Sequence, residues 1–133
     1  SKPEYQTYEY LQTIFDKDNK FNVNVDERYP FHVDFYIKPL DLFIEINAFW
    51  THGKHLFDED NKDDIDLLNK WKQKAEISKQ YKSAVNVWSI IDPFKCQTAK
   101  MNNLNYLPIW SNKIEIIKTI INEYLENNKR ECI

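Results

Sequence analysis

The chain has 133 residues, 42% of them hydrophobic and 29% charged, with a formal net charge of −3, which suits one domain around one core. Its single glycine argues against a Gly-rich phosphate loop or a dinucleotide-binding fold. No apolar run reaches the roughly 18 residues of a membrane span, so no membrane association is expected.

The two cysteines, Cys96 and Cys132, lie far apart without metal-ligand spacing and read as reduced thiols. No signal-peptide pattern is present, and a cytoplasmic location is expected. The acidic balance counts against nucleic-acid binding, whose affinity rests on neutralising phosphates. The distribution of charge softens that objection. Acid is concentrated between Asp58 and Asp66, and base follows at Lys70, Lys72, Lys74, Lys79 and Lys82, with Trp71 and Tyr81 between.

In chain order, Ser1, Pro3 and Glu4 predict a capped helix start, with the Ser hydroxyl and the Glu carboxylate forming a capping box. Tyr8, Leu11, Ile14 and Phe15 recur at helical spacing, and the helix should end near Asp16–Asn19. Phe21–Val25 alternates like a short strand. Phe31–Ile37 and Asp41–Phe49 read as central strands. In the first, Val33, Phe35 and Ile37 share one face, and His32, Asp34 and Tyr36 the other. In the second, Leu42, Ile44, Ile46 and Ala48 share a face opposite Phe43, Glu45, Asn47 and Phe49. Trp50–His55 is a loop holding the only glycine. Residues 60–82 favour helix, with Leu67, Leu68, Trp71, Ala75 and Ile77 as inward positions. Ala84–Trp88 reads as a short strand, and Asp92–Pro93 as the start of a helix running to about Asn102. Tyr106–Trp110 reads as a strand whose proline suggests an edge. Ser111 should cap a last helix with Ile114, Ile117, Ile121, Tyr124 and Leu125 on one stripe. The polar tail after Glu126 should fray. This order predicts an α/β (α+β layered) domain with a small mixed central sheet flanked by helices, spanning residues 1–133.

The chemistry begins with Asp34 and Glu45. A carboxylate inside an apolar strand is costly unless something compensates it. Two of them on one face of a hairpin suggest a shared divalent cation, which would neutralise a phosphate and acidify a water. Asn47 follows on the same face. His52 and His55 lie just beyond the strand, and a histidine can act as a general base. Each residue also has an ordinary reading. A strand Asp often marks a turn, a strand Glu often faces water, Glu4 completes a capping box, and loop histidines are often merely solvated. A zinc pair at His52 and His55 lacks a third ligand. His32 reads as a packing residue beside the site.

Arg28-Tyr-Pro-Phe-His-Val-Asp34-Phe-Tyr-Ile, followed by Leu42-Phe-Ile-Glu45-Ile-Asn47-Ala-Phe-Trp-Thr-His52-Gly, resembles the PD-(D/E)XK nuclease superfamily. More narrowly it is similar to the very short patch repair (Vsr-like) endonucleases and related phage homing endonucleases. Glu4 matches their helix Glu, Asp34 their strand Asp, Phe49–Trp50 with His52 and His55 their aromatic-histidine motif, and Asp58 their later acid. The segment from Asp92 to Trp110 resembles their closing helix-strand unit. The resemblance implies a restriction-endonuclease-like fold and a Mg²⁺-dependent endonuclease, with Mn²⁺ able to substitute, acting on double-stranded DNA in a bacterial or phage-infected cell. It implies a homodimer or an additional DNA-binding domain for specificity.

The superfamily's lysine falls at Asn47, which carries no charge and takes no proton at neutral pH. Either a histidine has taken over or Lys54 reaches in, and His52 and His55 compete because Thr51 separates them from the aromatic pair. On this reading Asp34 and Glu45 hold the metal, and His52 or His55, oriented by Glu4 or Asp58, activates water. Asn47 and Thr51 position water or phosphate. Trp50 stacks on bases unless it belongs to the core, and Lys54, Lys70, Lys72 and Lys74 contact DNA. The competing reading is an inactive nuclease-fold protein that binds nucleic acid or a protein partner.

Overall fold

The computed structural model describes residues 1–127; the expected frayed end and Cys132 lie outside the described residues. Helix α1 (Lys2–Phe15) opens in the expected capping box, with the Ser1 hydroxyl accepting from the Glu4 N–H and the Glu4 side chain reaching back to the cap. A 3-10 turn leads into β1 (Asn19–Val23), followed by β2 (Val33–Ile37) and β3 (Leu42–Ile46). β2 lies between the other two and is antiparallel to both. β4 (Asn105–Ile109) joins β3 in parallel, giving the order β1-β2-β3-β4. The Pro108 strand is thus at an edge, where a missing N–H does least harm. The result is the small mixed sheet with helices that the residue pattern predicts.

The turn from β2 to β3 rests on Asp41, which sits at φ 47°. A non-glycine residue there is strained. Arg28 clamps it with Nη1 2.8 Å and Nη2 2.9 Å from its two carboxylate oxygens, and the Tyr36 hydroxyl donates to it at 2.7 Å. The clamp holds the hairpin in the register Phe35 opposite Ile44 and Tyr36 opposite Phe43.

Three corrections concern the middle of the chain. The helix expected over 60–82 is two helices, α2 (Lys62–Ala75) and α3 (Lys79–Asn86), with a fresh N-cap where the Ser78 hydroxyl accepts from the Tyr81 N–H at 3.3 Å. Ile77 protrudes at the break rather than facing inward, and Leu67 is exposed as well. Ala84–Trp88 is helical, not a strand. Its alternation imitates a strand, but Ala84 and Trp88 lie four apart and are buried together with Leu68 and Trp71. The chain then widens into a π turn (Val87–Ile91) and continues as α4 (Asp92–Met101). Pro93 lacks an N–H and crowds the carbonyl four residues back, and a π turn is a common way to absorb that. Ser111 does act at the entry to α5 (Ile114–Asn127), accepting from the Lys113 N–H at 3.0 Å.

The layers follow from the alternation. Phe35, Ile37, Leu42, Ile44, Ile46, Leu107 and Ile109 present one sheet face to Leu11 of α1 and to Ile117, Ile121 and Tyr124 of α5. Phe43 and Tyr106 meet Tyr29 and the Cys96–Ala99 stripe of α4 on the other side, and Val33, where β2 begins, joins that cluster although alternation alone would group it with Phe35 and Ile37. Each fully buried aliphatic or aromatic side chain contributes about 1.5–3 kcal/mol, so these faces hold the sheet rigid around the polar residues set into it. No helix among the described residues is long and apolar enough to cross a membrane.

Candidate active site

The ladder between β2 and β3 gives out just where Asp34 would pair with Glu45, and the two side chains take its place. Asp34 Oδ2 accepts the Ile46 N–H at 2.7 Å, and Glu45 Oε1 accepts the Asp34 N–H at 3.1 Å. Each carboxylate therefore satisfies a backbone donor of the opposite strand where the hairpin opens. Glu45 is only 5% exposed. A buried charge of that kind survives only with partners. It has a further two in Tyr29, whose hydroxyl donates to Oε2, and Lys95 of α4, whose Nζ lies 3.5 Å from the same oxygen. The Tyr29 hydroxyl proton is committed to Glu45, so at the 2.9 Å contact between Tyr106 and Tyr29 it is Tyr106 that donates. Burial and the Glu45 charge push the Tyr29 hydroxyl well above its usual range, which keeps it a donor.

The start of α1 reaches this cluster. The Glu4 and Asp34 carboxyls influence each other's protonation, which brings the start of α1 to the sheet at Asp34. Burial first, and the Glu45 charge second, push the Asp34 carboxyl up to about 8. Asp34 therefore holds its proton far more tightly than an ordinary Asp, and Glu4, which is lowered, is the carboxylate of the two. Burial likewise pushes the Glu45 carboxyl up, against the opposing pull of Lys95, Tyr29 and the Asp34 N–H.

The histidines are placed differently from expectation. Neither Glu4 nor Asp58 orients them. His52 Nδ1 lies 2.7 Å from Asp92 Oδ2, and His55 Nε2 lies 2.8 Å from Asp64 Oδ1. Asp58 instead turns its own loop, accepting the Asp60 N–H at 2.9 Å. Asp92 and Lys95 are three apart on α4, so one helix supplies the partner of His52 and the partner of Glu45. His55 faces α2. Asn47 does not join Asp34 and Glu45; it lies past the end of β3, where its N–H donates to Ile109 at 2.7 Å, and it lines a separate cavity. Thr51 is buried in the turn at Trp50–His52. Trp50 is partly exposed and packs on Trp71 and Tyr81 with ring centroids 5.3 and 4.9 Å apart. Lys54 is exposed beside it. Lys70 and Lys74 share one side of α2, and Lys72 lies nearly opposite, so the three do not make a stripe. Lys79 and Lys82 belong to another helix. His32 is exposed rather than packed.

Sequence reasoning missed Tyr29, Asp64, Asp92, Lys95 and Tyr106. Two carried a readable signal. Asp64 stands on the stripe with Leu68 and Trp71, and Asp92 on the stripe with Trp88, Cys96 and Ala99. An acid at an inward helix position asks for a partner. Lys95 and the tyrosines reach Glu45 only through the tertiary fold.

Among the described residues no group of three or more His, Cys, Asp or Glu side chains is arranged to hold a metal ion. The available donor set is the pair Asp34 and Glu45, and one or two carboxylates completed by water is an ordinary set for Mg²⁺. Burial is the larger cause of the Asp34 rise and the Glu45 charge the second, and only that second part is what a shared cation would relieve. In donor chemistry alone, two carboxylates would suit Mg²⁺ or Mn²⁺, while Glu45 Oε1, Glu45 Oε2 and Asp34 Oδ2 already have protein partners.

No protein-family model matches the chain, and no curated protein or solved structure matches it either.

Proposed function

We propose that the chain is a metal-dependent endodeoxyribonuclease of the PD-(D/E)XK kind, Vsr-like, hydrolysing phosphodiester bonds of double-stranded DNA. The observation that carries this reading is the meeting of Asp34, Glu45 and Lys95 at the opened end of the β2–β3 hairpin, where α4 supplies both Lys95 and, three residues earlier, the Asp92 that holds His52. Asp34 and Glu45 would hold Mg²⁺ or Mn²⁺. Bound there, the cation supplies charge for the scissile phosphate and acidity for a water. Lys95 brings the positive charge that Asn47 lacks, reaching the site from α4 instead of from β3. His52 donates its Nδ1–H to Asp92, so Nε2 keeps the lone pair that takes a proton from the attacking water. His52 therefore fits the base role better than His55. Glu4 would share the Asp34 proton in the metal-free site. A cytoplasmic setting, and a homodimer or an added DNA-binding domain for specificity, belong to the same proposal.

Supercoiled plasmid incubated with Mg²⁺ or Mn²⁺ tests it. Nicking is expected from the parent protein and lost in Asp34→Asn, Glu45→Gln and Lys95→Met. A second reading, a non-cleaving binding module, is favoured by one fact: each carboxylate already caps a strand N–H. Plasmid left intact by the parent protein across varied sequences, with DNA still bound, would select it.

A further inference from the structure

A cavity of about 610 Å³ opens beyond the end of β3. Trp50, Trp71, Trp88 and Trp110 line it, and these are all four tryptophans of the chain. Its volume lies in the range of small-molecule sites. Trp88 and Trp110 are fixed by their indole N–H groups, which donate to the His55 carbonyl at 2.9 Å and the His52 carbonyl at 3.0 Å. The walls are therefore preformed. Trp71 is 8% exposed, and its N–H has no partner among the described residues. Asn47 offers both a donor and an acceptor on the same wall.

Charge chooses the occupant. Lys54 and Lys113 also line the cavity without an ion-pair partner among the described residues, while the acid on its wall, Asp64, is buried and already paired with His55. Lys113 immediately precedes α5, whose first N–H groups add a positive field. Indole walls alone would also suit an organic cation, but two unpaired lysines oppose one. Aromatic faces beside anion-binding groups suit a base attached to a phosphate.

We infer that this cavity receives one unpaired nucleotide of a DNA substrate, its base among the tryptophans and its phosphate toward Lys54 and Lys113. Asn47 follows Glu45 by two residues, about 7 Å along an extended chain, so the cavity and the carboxylates are separate sites within reach of neighbouring nucleotides of one strand. The inference rests on the nuclease reading for the identity of the polymer. It implies that cleavage targets a site with a displaced base rather than uniform duplex.

The test uses Asp34→Asn protein without added divalent ion, so that cleavage plays no part. Three labelled duplexes are compared by anisotropy and by tryptophan emission: fully paired, with a one-nucleotide bulge, and with the same bulge lacking its base. The bulge should bind at least tenfold tighter than its abasic counterpart and quench tryptophan emission. Trp50→Ala should erase that preference. The double variant Lys54→Ala/Lys113→Ala, altered only at exposed positions, should weaken both bulged duplexes and reduce the salt slope by about 2. Equal affinity for the bulge and the abasic bulge overturns the inference whether or not the variants fold. Nicking with equal affinities would remove the base site and leave the nuclease. A base preference without nicking would do the reverse.

Discussion

Asp34 carries a proton in the folded chain that the unfolded chain would release near pH 3.8. Between that value and about 8 the folded state binds more protons than the unfolded state, so this group's contribution to stability falls as pH rises. It is fully present below the ordinary Asp value and spent once the folded group ionises. Asn in its place still accepts the Ile46 N–H but never charges. Asp34→Asn should therefore raise stability at pH 8.5 by about 1–2 kcal/mol, or roughly 5 °C in melting temperature, with a smaller gain at pH 5.5. A thermal melt at the two values checks it. A residue kept only for stability would lose by the change; one kept for function would gain stability and lose activity. At the neighbouring pair, His52→Ala should lower nicking by about 10²–10³, within the range of general base catalysis. Asp92→Asn should also lower it, with a shifted pH profile, because the amide no longer holds the Nδ1–H tautomer.

The loop joining β3 to α2 shows how one element positions two others. Gly53 sits at φ 66°, and a Cβ there would fall 2.5 Å from the Trp88 indole nitrogen. The loop crosses directly over Trp88 and hands it the His55 carbonyl. Gly53→Ala combines left-handed strain with a clash against a fixed ring, and should cost about 2–4 kcal/mol in urea denaturation. Ser78→Ala should cost only about 1 kcal/mol, the ordinary value of one N-cap. The strand alternation, the capping box at Ser1 and the stripe on α5 were readable from residue spacing alone. The split at Ser78 and the helical state of Ala84–Trp88 were not, because local alternation favoured a strand and burial against Leu68 and Trp71 overrode it. The same limit applied to the site. Asp34, Glu45 and Glu4 stood out as acids near apolar runs. Lys95 looked like any surface lysine of an amphipathic helix, and only the packing of α4 on the sheet brings it to Glu45.

The whole molecule is acidic, at −3, with pI near 5.6. Such a surface does not attract DNA at long range. If Asp34 and Glu45 take a divalent ion, affinity for duplex DNA should rise by about tenfold when Mg²⁺ replaces EDTA at fixed ionic strength, and Asp34→Asn should lose that gain. Filter binding at matched salt checks it. What the amino-acid order determined alone was the inventory: a small mixed sheet, helices with their caps, and acids placed where water could not easily reach them. Those features depend on neighbours within a few residues, through hydrogen bonds and face alternation that short spacing already encodes. The tertiary structure decided the partnerships. Asp92 rather than Glu4 holds His52, Asp64 rather than Asp58 holds His55, and Lys95 rather than Asn47 meets Glu45. These pairs join residues as much as 50 positions apart. Their energies depend on burial, and burial exists only once the sheet and α4 have closed on each other.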